Sequence, residues 1–246
     1  MDGHESVTVR LAGVLTFAFP AAVAGTNCYV LASASGEECL IVDPGVGVIG
    51  QLEEILRDHR LRPAAVLLTH GHFDHVYSVT PVCGSASVAA YIHGDDRYRL
   101  EDPLSAVDPQ LVAMLEQQFG QKASWQEPSD VVSLVDGQRL GLAGFELTVL
   151  HAPGHTEGSV MFRLPEVPEG VDGSGASSTV LSGDVLFAGS IGRTDLAGGD
   201  GAAMNRSLRD VVLPLPDDVL VLPGHGPATT MERERATNPY LQGLTP

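Results

Sequence analysis

Positive charge is what this sequence has least of. Against 31 Asp and Glu it sets only 14 Lys and Arg, a formal charge of −17, and its one lysine is Lys122. So acidic a surface repels phosphate backbones and anionic headgroups, so neither nucleic acid nor a membrane surface is an expected partner. Any anionic substrate would need a local cation. Cysteine is scarce too. Cys28, Cys39 and Cys83 are odd in number and widely spaced, so no disulfide framework is expected and a reducing, cytoplasmic location is. No apolar run reaches the roughly 20 residues of a membrane span. Leu11 to Ala24 has some signal-peptide character, but the acidic start Met1-Asp2-Gly3-His4-Glu5 and the break at Pro20 make it read as first strands.

What is present supports a core. The 246 residues are 43% hydrophobic, enough for one domain, expected to span 1–246. Val7–Val9, Val14–Phe19, Asn27–Leu31 and Glu38–Val42 read as strands, the last ending at the turn Asp43-Pro44-Gly45. Ile49, Leu52, Ile55 and Leu56 keep helical spacing up to about His59. Strands follow at Ala64–Leu68, Val88–Ile92, Val131–Val135 and Phe145–Leu150, and later at Thr179–Ser182 and Val219–Leu222. Residues 94–130 are polar and partly helical, an excursion over the active face. Residues 165–178, rich in Pro, Gly, Ser and acid, read as a flexible loop. A β-rich start followed by βαβ-like units is an α/β pattern, with helices covering sheets.

The apolar run Ala64–Leu68 ends in Thr69-His70-Gly71-His72-Phe73-Asp74-His75. Three imidazoles and a carboxylate thus emerge at a strand's carboxyl end, where α/β folds place chemistry. In a turn, His70 and His72 can point to one side and Asp74 and His75 to the other, which suits two metal pockets. Imidazole and carboxylate favour zinc, with iron and manganese as alternatives, and the absence of thiolate excludes a structural Cys-type site. Three more strand ends carry metal-type ligands: His151-Ala152-Pro153-Gly154-His155, Ser182-Gly183-Asp184 and Pro223-Gly224-His225.

These motifs resemble those of the metallo-β-lactamase superfamily, and within it the glyoxalase II-like hydrolases. The resemblance runs from Asn27-Cys28-Tyr29-Val30-Leu31 to Glu232-Arg233-Glu234-Arg235-Ala236-Thr237-Asn238-Pro239. It implies an αββα sandwich of two mixed sheets between helical layers. It further implies that His70, His72 and His155 bind a first divalent metal, that Asp74, His75 and His225 bind a second, and that Asp184 bridges them. Asp43 resembles the family's aspartate that orients a metal-bound histidine, and its other reading is a plain turn residue. His93 and His151 match no ligand position. In Gly192-Arg193-Thr194-Asp195, Arg193 stands where glyoxalase II contacts its thiol carrier; its other reading is an ion pair with Asp195. Pro227 replaces a tyrosine of the long glyoxalase enzymes, and 21 residues after His225 are too few for their helical domain. The resemblance therefore does not extend to glutathione as the carrier.

The implied reaction is hydrolysis of a small-molecule thioester. Two metals ~3.5–4 Å apart can share a hydroxide and lower its water's pKa towards ~7, while Asp74 accepts the nucleophile's hydrogen bond. No lysine, glutamate or tyrosine in the motifs offers a proton, which suits a thiolate leaving group with a pKa near ~8.5. An iron-dependent persulfide dioxygenase is the nearest alternative, since its relatives share the ligands and a Gly-Arg-Thr-Asp stretch. A lactonase of the same superfamily is another. A β-lactamase fits less well, because Asp184 stands where many of those enzymes use cysteine. A metal- or partner-binding protein without activity is opposed by the complete ligand set.

Overall fold

Two sheets packed face to face between helices make up this computed structural model, which describes residues 14–105, 107–119, 124–169 and 175–244. The first sheet runs β1 (Leu15–Pro20), β2 (Asn27–Ala32), β3 (Glu38–Val42), β4 (Arg62–Leu67), β5 (Ala90–His93) and β6 (Val131–Leu134), in that spatial order. β1 to β3 pair antiparallel and β3 to β6 parallel. In the second sheet β7 (Arg139–Leu142), β8 (Phe145–His151), β9 (Val160–Leu164) and β10 (Ser178–Gly183) lie antiparallel side by side. After a small hairpin, β11 (Leu186–Phe187) and β12 (Ser190–Ile191), strand β13 (Val219–Pro223) joins parallel to β10, and β14 (Thr229–Thr230) closes the edge. Both sheets are mixed, as expected.

Period-two alternation sorts the strands' side chains into layers. Tyr29, Leu31, Leu40, Val42 and Leu67 point between the sheets and meet Leu147, Val149, Phe162 and Leu181. The alternate residues Cys28, Val30, Cys39, Ile41 and Val66 point out, under α1 (Ile49–Asp58) and, past the one-turn α2 (Phe73–Val76), under α3 (Val79–Ala86). On the far side Met161, Val180, Val219 and Val221 are covered by helices that follow α4 (Pro109–Phe119): α5 (Gly201–Ser207), its π-helical continuation Leu208–Val212, and α6 (Met231–Thr237). With both faces covered, β10 and β13 are buried at every residue, which fits the unbroken apolar run Val219–Leu222 of β13.

β7, β9, the hairpin, α5 and α6 were not anticipated from sequence. α5 begins inside Gly-Gly-Asp-Gly because the Asp200 carboxylate accepts from the Ala202 and Ala203 amides, at 2.7 and 3.0 Å, a side-chain N-cap. The strand expected at Val7–Val9 lies outside the described residues. Of the loop expected at 165–178, the first part is tied down: the Val14 amide donates to Val167 O at 3.0 Å and the Glu169 amide to Val14 O at 2.9 Å. Residues 170–174 lie outside the description. The 94–130 segment opens with a 3-10 turn, Gly94–Leu100, and includes α4. Among the described residues no helix is long and apolar enough to cross a membrane.

All three cysteines are free and buried. Burial raises the thiols of Cys39 and Cys83 to about 12, leaving almost no thiolate at neutral pH. Native protein is therefore expected to resist iodoacetamide, and denatured protein to take up three labels; mass spectrometry reads both. Labelling of folded protein would contradict this packing.

Candidate metal centre

Five strand ends supply the site. β3 runs into Asp43, β4 into His70, β8 into His155, β10 into Asp184 and β13 into His225. The backbones crowd there. A Cβ on Gly183, whose φ is +48°, would meet Thr69 at 2.6 Å, and one on Gly224 would come within 2.2 Å of Asp184 Oδ1. Glycine at both places lets ends from the two sheets converge. Gly224→Ala is accordingly expected to retain its circular dichroism spectrum yet bind less divalent metal than the parent, as measured by elemental analysis. Unchanged metal content would show that the end of β13 can retreat.

Two groups of donors result. In the first, His72 Nδ1 lies 3.1 Å from His70 Nε2 and 2.8 Å from His155 Nε2. In the second, His225 Nε2 lies 3.3 Å from His75 Nε2 and 3.3 Å from Asp74 Oδ2. Asp184 stands between them: Oδ1 is 3.5 Å from His75, and Oδ2 is 3.4 Å from both His155 and His225. That Oδ1 is buried and has no hydrogen-bond partner.

The far sides of the rings fix which nitrogens face inward. His75 Nδ1–H donates to Asp43 Oδ2 at 2.9 Å, and His155 Nδ1–H to Arg193 O at 2.8 Å. Thr69 Oγ1 gives its proton to Asp43 at 2.6 Å and so accepts from His70 Nδ1–H at 3.1 Å. All three rings therefore turn Nε2 inward. Asp43 also accepts from the Thr69 amide at 2.8 Å. It holds a left-handed φ of +50°, a strained conformation kept by these bonds.

Electrostatics divide the groups. Burial, then the neighbouring imidazoles, drive His70 well below its ordinary value and His72 to about 3; burial also lowers His155. These rings are neutral at pH 7 and have lone pairs to give. Burial opposes charge on His75 too, but Asp184, Asp74 and Asp43 lift it to about 9; His225 rises to about 10 against burial through Asp184 and Asp74. Burial would raise Asp74, yet His75, His225 and the Thr26 hydroxyl, 2.7 Å from Oδ2, hold it well below the carboxylate range. The second group thus wants positive charge. Convergent lone pairs and an orphaned buried carboxylate oxygen fit divalent cations.

A family model described as the metallo-beta-lactamase superfamily matches residues 21–225. The chain belongs to the metallo-beta-lactamase superfamily. An uncharacterized protein of Mycobacterium tuberculosis is 43% identical over 233 residues, 94% of this chain and 100% of that protein. The hydroxyacylglutathione hydrolase GloC of Haemophilus influenzae is 32% identical over 206 residues, 82% and 86% of the two chains. Among solved structures, the BLEG-1 B3 metallo-beta-lactamase superposes with a TM-score of 0.75 at 35% identity, over 93% of this chain and 100% of that one. TTHA1623 in a di-iron-bound form gives 0.70 at 35% identity, over 92% and 100%. Members of the superfamily bind a dinuclear metal site, and this chain has His and Asp clusters able to hold metal.

The sequence did not point to Asp96. Fully buried in the 3-10 turn, it accepts from the Gly71 amide and Thr156 Oγ1, both at 2.7 Å, and from the Gly158 amide at 2.8 Å. It thereby ties the loop of His70 and His72 to the loop of His155. Arg99 backs it at 3.3 Å and reaches on to Glu157 at 2.6 Å. Arg193 lies at the mouth of an adjoining cleft and makes two 2.7 Å hydrogen bonds to Asp195. His93 and His151 stack with centroids 3.9 Å apart and planes 11° from parallel. With Asp95 they form another donor group, but stacked rings send their lone pairs side by side, and His151 Nε2 already meets Glu157 O at 2.8 Å.

Proposed function

We propose that this chain is a metal-dependent thioester hydrolase, glyoxalase II-like in its centre, holding two divalent ions, zinc or iron. His70, His72 and His155 hold the first, Asp74, His75 and His225 the second, and Asp184 serves both. When bound, the ions supply Lewis acidity at the acyl carbonyl and a water whose pKa approaches ~7. The protein's part is orientation. Asp43 and Arg193 O fix three of the rings. Asp74, with Oδ2 engaged by Thr26, keeps Oδ1 for the hydrogen bond of an attacking water.

The observation that carries this reading is the want of a proton donor. No lysine lines the cleft among the described residues. The Tyr98 hydroxyl is turned onto Glu157 at 3.4 Å, and Ser105 Oγ donates to Asp102 O at 2.7 Å. A leaving group must therefore depart as an anion, which a thiolate does readily and an amide nitrogen does not. Likeness to GloC points the same way.

Elemental analysis of the native protein, alongside thioesters, a persulfide, a lactone and a β-lactam with an oxygen electrode, tests this. Two metals per chain and thioester turnover without oxygen uptake are expected. Oxygen consumption on the persulfide would install the dioxygenase instead, and preferential lactone or β-lactam turnover would move the reading to those reactions.

A further inference from the structure

The cleft beside the centre encloses about 700 Å³ and reaches from His72, Phe73 and Asp74 out to the segment after the 3-10 turn. Its walls are apolar at Phe73, Val107 and Leu196, and acidic at Glu101, Asp102 and Asp108. Glu101 and Asp102 are exposed and make no ion pair among the described residues. Asp108 Oδ1 accepts from the Gln110 amide at 2.7 Å, which leaves its charge in place. Among the described residues two cations line the same space, and each has its anions. Arg193 is matched fork to fork by Asp195. Arg99 is committed to Asp96, Glu157 and Ala197 O. The outer cleft therefore carries uncompensated negative charge, in a chain already at −17.

We propose that the thiol carrier accepted here is uncharged or cationic, with an apolar portion against Phe73, Val107 and Leu196, and that carriers with free carboxylates are selected against. The chemistry rests on the thioester reading; the charge selection belongs to the cleft and is measured apart from turnover. Resemblance to glyoxalase II offers Arg193 as a contact for the thiol carrier, and an ion pair with Asp195 is its other reading. The pairing with Asp195 cancels that contact and leaves three acids facing whatever enters.

Two inert thioethers of one skeleton make the test: S-butylglutathione and its diethyl ester, titrated calorimetrically into metal-loaded protein. The ester is expected to bind at least about tenfold tighter at low salt, with the gap narrowing at high salt as the acids are screened. Glu101→Gln, Asp102→Asn and Asp108→Asn combined should bring the two affinities together. Equal or tighter binding of the free acid, no binding of the ester, or a gap that survives the triple substitution would each overturn the inference. Turnover of lactoyl thioesters on the same two carriers is assayed alongside. If neither is hydrolysed, the hydrolase reading falls while the order of thioether affinities still decides the question of charge.

Discussion

Asp184→Ala is expected to cost on the order of a thousandfold in thioester turnover, some 4 kcal/mol of transition-state stabilisation, and to drop metal content from two equivalents towards one. Asp184 places one oxygen 3.4 Å from both His155 and His225 and the other 3.5 Å from His75. Among the described residues no other carboxylate approaches imidazoles of both groups. Without it, two cations would face each other with no shared anion, and their repulsion would expel the weaker-held one. Asp184→Asn keeps the shape and halves the remedy: it offers one neutral oxygen where two charged ones stood. The asparagine variant should fold like the parent, retain more metal than alanine, and still turn over far more slowly. Elemental analysis and steady-state kinetics on the three proteins check the order. An alanine variant with two metals and parental rate would remove Asp184 from its bridging position.

Asp96→Ala should be the most damaging change away from the ligands. It strands the Gly71 and Gly158 amides, takes from the Thr156 hydroxyl one of its two partners (Ser159 Oγ stays at 2.8 Å), and leaves Arg99 short of one carboxylate partner. Removing one member of a buried network of this kind costs about 3–5 kcal/mol, or roughly 10 °C in melting temperature for a chain this size. The damage should also be uneven. Gly71 separates His70 from His72, and Thr156 follows His155, so the first donor group loses its alignment while Asp74, His75 and His225, held through Asp43 and Thr26, keep theirs. Urea unfolding gives the stability, and stepwise metal titration shows which site has weakened. Equal weakening of both sites would mean that Asp96 supports the fold alone.

Sequence showed the donors that converge and hid what aligns them, for a physical reason. His70, His72, Asp74 and His75 sit within six residues, and the other three follow apolar runs that end in turns, so pattern alone exposes them. Asp96 draws its meaning from partners 25, 60 and 62 residues away, and in a row it reads as one acid among several. Asp43 was visible only as a turn residue resembling a known aspartate, because its partners Thr69 and His75 become neighbours only when β3 and β4 pair. Arg193 shows the reverse case. Its pairing with Asp195, two residues on, was open to local reading, whereas a role in carrier binding needed the cleft. Individual strands were legible where residues alternate or run apolar, while the sandwich itself was implied by the family resemblance. β9 and α5 escaped because Gly158, Pro165 and the Gly198–Gly201 stretch look like loop, and tertiary burial outweighs that preference.

Where the seven donors come from has a further consequence. His70, His72, Asp74 and His75 follow a strand of the first sheet, while His155, Asp184 and His225 follow strands of the second. Ions held there would rivet the two halves of the sandwich along one open seam, and an empty seam would let them part. Binding that favours the closed form stabilises it by mass action. The amount of this protein in a cell should then follow the supply of metal, with starved chains destroyed sooner. Protease digestion with and without a chelator would show it as a faster loss of intact chain, and identical digestion rates would mean that the sandwich holds without its rivets.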